Sequence, residues 1–133
     1  MCLTRPYVGK FDKILKKKKF YKVVIKNIKG KHYLPFQHDK VDKRELNPLK
    51  FNKWYKSTNE TLFYGSYNHH YPSGFHCFVT RSSARAFKKI YGRSSAILEV
   101  KLKGESILGW QNFSCAPLLC IVSKNMFIIR ETR

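Results

Sequence analysis

Residues 74–103 constrain the fold more than any other stretch, because their pattern suits one local arrangement, strand then helix then strand. In Gly74-Phe75-His76-Cys77-Phe78-Val79-Thr80, side chains that alternate with period 2 put Phe75, Cys77 and Val79 on one face of a strand and His76 and Phe78 on the other. Thr80 then stands where a helix N-cap belongs, its hydroxyl placed to accept an N–H of the first turn. Ala84, Phe87, Ile90 and Tyr91 recur at helical spacing across 81–91, and Gly92 follows as the C-cap. Beyond it Ala96, Leu98, Val100 and Leu102 alternate with Ile97, Glu99, Lys101 and Lys103, a half-buried strand that Gly104 ends. Phe75, Cys77, Phe87, Ile90, Leu98, Val100, Leu119 and Ile121 are expected to share one core.

The flanking chain adds strands. Phe20 to Ile28 alternates, Asn27-Ile28-Lys29-Gly30 supplies turn chemistry, and Tyr33 to Phe36 returns as the second arm of a hairpin, held to an edge by Pro35. His38 to Leu46 is polar and reads as loop or short helix, and Ser57 to Ser73 reads as a long loop of the kind that carries function. Ile107 to Trp110 reads as a turn into a pocket wall, and 117–122 and 126–129 as two apolar strands flanking Ser123-Lys124-Asn125. The expected fold is one α+β domain over 1–133: a mainly antiparallel sheet of five or six strands, a helix at about 81–91 and a long loop.

Charge is the compositional outlier. The chain has 27 Lys and Arg against 8 Asp and Glu, a net charge of +19. Residues 1–56 hold 17 basic and 4 acidic residues (+13), and 57–133 hold 10 and 4 (+6). Such a field calls for an anionic partner, nucleic acid first and an acidic protein surface next. Lysine outnumbers arginine 20 to 7, which suits loose phosphate contact more than bidentate readout. Richness in lysine and asparagine also fits an AT-rich coding sequence. The stretch Lys50-Phe51-Asn52-Lys53-Trp54-Tyr55-Lys56 interleaves rings that stack on bases with ammonium groups that hold phosphates. With the run Lys16-Lys17-Lys18-Lys19 and Lys22, the expected nucleic-acid-binding set is Lys16, Lys17, Lys18, Lys19, Lys22, Lys50, Lys53, Trp54, Tyr55 and Lys56. The competing reading packs Phe51, Trp54 and Tyr55 into the core and leaves the lysines as a solvated face.

Catalytic patterns are missing. No Walker loop, Gly-x-Gly-x-x-Gly or Gly-x-Ser-x-Gly occurs, and Glu60, Glu99 and Glu105 do not converge as an acid–base pair would. His69, His70, His76 and Cys77 lack the spacing of a zinc site, and His76 and Cys77 diverge from one strand, so neither activates the other. No catalytic residue, metal or cofactor is expected. Cys2, Cys77, Cys115 and Cys120 lack the density of a disulfide framework, no stretch has the length of a membrane span, and no apolar signal core opens the chain. An intracellular setting is expected, in host cytoplasm, nucleus or virion.

Met1-Cys2-Leu3, Phe20-Tyr21-Lys22-Val23-Val24, Tyr33-Leu34-Pro35-Phe36-Gln37, Gly74-Phe75-His76-Cys77-Phe78, Ala84 in a short helix, and Ile97-Leu98-Glu99-Val100 come in an order that resembles a family of small uncharacterised proteins from phages, large DNA viruses and bacterial mobile elements. That family brings no activity with it. The order of elements is more loosely similar to the ADP-ribosyltransferase fold, which implies a first-strand Arg or His, a middle-strand Ser or Tyr and a late Glu. Lys22 to Lys26 lacks the first, His76 stands in the middle, and Cys120 occupies the late strand.

The expected function is that of a non-enzymatic viral or phage accessory protein, gripping nucleic acid or a host nucleoprotein through a basic N-terminal surface, as a counter-defence factor would. An ADP-ribosyltransferase-like enzyme acting on a nucleotide is the first alternative, and a structural virion component the second. A buried His–Glu pair lining a nucleotide-sized pocket favours the enzyme; a continuous basic face favours binding.

Overall fold

A computed structural model describes residues 3–6, 14, 16–33, 48–57, 61–63, 70–72, 74–92, 94–113 and 116–132. In chain order the strands are β1 (Arg5–Pro6), β2 (Phe20–Lys26), β3 (His32–Tyr33), β4 (Trp54–Lys56), β5 (Thr61–Phe63), β6 (His70–Pro72) and β7 (Phe75–Phe78). The helix α1 (Arg81–Tyr91) and the strands β8 (Ser95–Phe113) and β9 (Ala116–Thr132) complete the chain. The fold is α+β, and every strand pairing among the described residues is antiparallel.

The strand–helix–strand unit stands where its sequence pattern puts it. Thr80 is extended and accepts the Ser83 N–H through Oγ1 at 3.2 Å, and the Gly92 N–H donates to the Lys88 carbonyl at a positive φ of 118°. The hairpin also forms, with Ile25 opposite Tyr33 and Lys26 opposite His32 around Gly30. Its expected continuation through 34–36, and the 38–46 stretch, lie outside the described residues.

Beyond Gly92 the chain departs from expectation. Gly104 does not end a strand: β8 runs on to Phe113, and Ile107 to Trp110 are strand residues rather than a turn. The two expected apolar strands after Pro117 are one, β9, which continues through Ser123-Lys124-Asn125. The two form a long hairpin whose register slips at Glu99/Val100 and Lys103/Ser106, and at the second slip Gly104 takes φ 86°. A glycine in a left-handed conformation at a register slip bends a strand without ending it. In the expected 57–73 loop, β5 and β6 instead pair as a small ribbon, and residues 58–60, 64–69 and 73 are outside the described set.

Seven strands share the main sheet. β8 pairs β2, β2 pairs β7, β7 pairs β9, and β9 returns to β8, so the pairing order closes on itself. Alternate residues therefore point to one of two layers. The inner layer holds Phe20, Val24, Phe75, Cys77, Leu98, Val100, Ile121, Met126 and Ile128, with Leu49 and Tyr55 packed among them. The outer layer, under α1, holds Val23, Phe78, Ala84, Phe87, Ile97, Cys120 and Val122, with Leu3 and Tyr71. The single expected core is thus split: Phe87 belongs to the outer layer, and Ile90 is 53% exposed because it falls on the solvent side of α1.

Candidate nucleic-acid interface

The strand register assembles an outward row that no single segment of sequence displays. On β8, Leu98, Val100 and Leu102 turn to the core, so Glu99, Lys101 and Lys103 point away from it. β9 runs beside it with Phe127 opposite Lys101, and β4 beside that with Trp54 opposite Phe127. Side chains directly opposite on antiparallel strands are neighbours. The Trp54 and Phe127 rings accordingly meet at 5.3 Å between centroids, the Lys101 ammonium lies 5.8 Å from the Phe127 ring, and Lys103 sits 4.1 Å over Trp54. Lys53 and Lys56 flank Trp54 and are exposed, as are Lys50 and Phe51 on the preceding turn. Trp54 itself is 39% exposed.

Next to this strip lies a knot of charge. The Glu99 carboxylate is buried beneath three cations: Arg130 Nε donates to it at 2.8 Å, Arg81 at 3.1 Å, and Lys19 approaches to 3.7 Å. Burial alone would raise the Glu99 pKa, but the hydrogen bond and charge of Arg130, the charge of Lys19 and the Arg81 hydrogen bond outweigh it and hold the carboxyl below its ordinary value. One carboxylate to three cations leaves a positive surplus, and all three cations keep much of their side chain in solvent. Lys17 is anchored nearby through its ammonium on the Val79 carbonyl at 2.8 Å. Lys16, Lys17, Lys18 and Lys19 are all exposed. Glu99 is two residues from Lys101, so the lysine run and the Trp54 strip reach one outer face through β8.

Two of the expected binding residues are buried. Lys22 is 1% exposed, since Phe20, Lys22 and Val24 share the inward face of β2, and its ammonium donates to the His76 carbonyl at 2.8 Å. Only Tyr21 and Phe78 pair directly between β2 and β7, so this bond adds a second tie across their junction. Tyr55 is also 1% exposed: neighbours on a strand face opposite ways, and Trp54 out means Tyr55 in. Its hydroxyl accepts the Lys50 N–H at 2.8 Å, which satisfies the one polar atom it buries. Neither residue is presented to a ligand in solvent. Sequence reading missed Phe127, Lys101, Lys103, Arg81 and Arg130, which join the face only through long-range register; the alternation of 96–103 was their one local signal.

His76 is 1% exposed in the outer layer, where its Nε2 lies 3.0 Å from the Tyr71 hydroxyl, which also accepts the Leu3 N–H at 3.0 Å. Burial and the neighbouring Cys77 push the Cys120 thiol well above its ordinary pKa, and the Lys22 charge offsets this only in part. Among the described residues no three His, Cys, Asp or Glu side chains converge as metal ligands would, and no helix is long and apolar enough to cross a membrane.

Compared with protein-family models, curated proteins and solved structures, the chain gives no match.

Proposed function

We propose that this chain is a non-enzymatic accessory protein, of the phage or viral kind its sequence resembles, that holds a nucleic-acid strand on the outer face of β4, β9 and β8. The observation that carries this reading is the cross-strand row Trp54–Phe127–Lys101, with Lys103 over the indole. Exposed rings beside long, rotatable ammonium side chains match the two needs of a single strand, stacking and backbone neutralisation. In the free protein the Lys103 ammonium caps Trp54 at a gain of about 0.5–1 kcal/mol, whereas a stacked base contributes about 1–3 kcal/mol. Exchange of cap for base is therefore favourable, and the released ammonium gains a phosphate. The surface draws on both halves of the chain: Lys16–Lys19 and Lys50–Lys56 supply part, and β8 and β9 the rest.

His76, the middle-strand residue of the transferase alternative, is buried with its ring bonded to Tyr71. The one His–Glu pair at a cavity among the described residues, His32–Glu131, keeps its carboxylate side chain 34% exposed and tied to Lys26. Neither meets that alternative's need for a buried His–Glu pair open to substrate. A titration of single- and double-stranded oligonucleotides from low to physiological salt tests the proposal. Contact with about five phosphates gives a log–log slope near −3.5 on single strands and about −4.5 on duplex. Affinity that stays flat across that range contradicts it, and a preference for an acidic polypeptide over either nucleic acid moves the partner to a protein.

A further inference from the structure

On the α1 side of the molecule, away from the aromatic strip, is an open cavity of about 700 Å³. Its walls come from the second half of α1, with Arg85, Lys88 and Lys89, and from Lys26 at the end of β2. Ala96 and Ile97 at the start of β8, both buried, line it as well. The one carboxylate among its lining residues, Glu131, is engaged by Lys26 at 3.0 Å and by His32 at 2.5 Å. With Lys26 and Glu131 paired to each other, Arg85, Lys88 and Lys89 leave the cavity lining positive, and the stems of these side chains give it apolar surface. The volume lies within the range of about 300–1,000 Å³ usual for small-molecule sites.

We propose that this cavity binds a small phosphorylated ring compound, with its phosphates on the charged ends of Arg85, Lys88 and Lys89 and its ring against the apolar stems of those side chains. The chemistry follows from the division of the lining. Long basic side chains lay apolar stems along a wall and present their charge at its rim, so ring and phosphate find different partners in one cavity. Arg85 adds a planar fork suited to phosphate oxygens. The carbonyl end of α1 works against an anion, but that partial charge is about half an elementary charge, and Lys88 and Lys89 stand in the same last turn. A longer polyanion is the weaker fit, because the cavity is compact and the strand-binding face lies elsewhere. From Ile97 to Lys101 is four strand residues, about 13 Å. The two sites share no residue, so each stands or falls separately.

Calorimetry on the full chain in about 0.15 M salt, where the screening length is about 8 Å, provides the test, with ATP, inorganic tripolyphosphate and adenosine as probes. The expected result is saturable 1:1 binding of ATP, weaker binding of tripolyphosphate and none of adenosine. Lys88→Gln with Lys89→Gln should weaken ATP about tenfold, as loss of a charged hydrogen bond does, while oligonucleotide binding is unchanged. Lys101→Gln with Lys103→Gln should do the reverse. A thermal melt confirms that both variants fold; Gln keeps helix propensity close to that of Lys. The proposal is overturned if the two pairs weaken ATP equally, if binding exceeds one equivalent without saturating, or if tripolyphosphate matches ATP. Because the oligonucleotide arm is read in the same samples, failure of this cavity and failure of the strand-binding face give different patterns.

Discussion

Glu99 shows how one residue ties stability to surface charge. Its carboxyl titrates lower in the folded chain than in the unfolded one, so its contribution is full above the ordinary value of 4.5 and is lost as pH falls through the folded value. Glu131 shifts in the same direction: burial would raise it, but His32 and Lys26 hold it down. Stability should therefore drop from about pH 5 downward, and Glu99→Gln should flatten part of that acid limb while lowering the melting temperature at neutral pH. An acid limb unchanged by Glu99→Gln would show that the knot contributes nothing. At Gly74 the constraint is steric: a Cβ there would stand 2.6 Å from the Ser123 carbonyl oxygen, a backbone atom with little room to yield. Gly74→Ala should cost about 1–3 kcal/mol, in line with overpacked interiors, as read by denaturant unfolding. The thiols of Cys77 and Cys120 are both buried, and that of Cys120 is held protonated. Peptide mapping after native alkylation should find both unmodified until denaturant is added, since the thiolate is the reactive form.

Among the elements, α1 is legible to the residue because every signal that fixes it is local: cap, 3.6-residue period and closing glycine. Its orientation is not. Periodicity assigns both Phe87 and Ile90 to the core, but the buried stripe of α1 is centred on Ala84 and Phe87, and each step of three residues turns about 60° around the axis. Ile90, two steps from Ala84, therefore falls at the solvent edge, and only Phe87 meets Phe78, at 5.3 Å between ring centroids. Phe87→Ala should cost about 3–5 kcal/mol, and Ile90→Ala within about 0.5 kcal/mol. Equal losses at the two positions would mean that α1 is rotated from this placement. The long hairpin misleads for the opposite reason. Gly104 and Ser123-Lys124-Asn125 carry turn chemistry, and tertiary pairing overrides it, turning one expected stop into a bulge and the other into continuous strand. Trp54 and Tyr55 group together when their segment is read as a surface stretch; read as a strand, period 2 separates them.

Across the whole molecule, +19 of charge is visible in composition, and its arrangement is not. The sequence places most of the surplus before residue 57, and the face takes Lys53, Trp54 and Lys56 from there, but register on β8 and β9 adds Lys101, Lys103 and Phe127 from the second half, and Lys19 reaches it through Glu99. Neutralising Lys16, Lys17, Lys18 and Lys19 to Gln should weaken single strands of any sequence and flatten the salt slope by about 0.7 for each phosphate that is no longer neutralised. Trp54→Ala should cost about 1–3 kcal/mol of binding and leave that slope in place, because stacking releases few ions.

The most direct test of the strand-binding face is the fluorescence of Trp54. The chain has two tryptophans, so Trp110→Phe leaves Trp54 as the only indole. Titrating this variant with a single-stranded oligonucleotide, and following binding in parallel by anisotropy of a labelled strand, separates stacking from charge. The predicted result is saturable quenching of Trp54 that tracks the anisotropy and reverses with added salt. A strand that binds with no change in Trp54 emission would contradict it, placing the nucleic acid away from β4, β9 and β8.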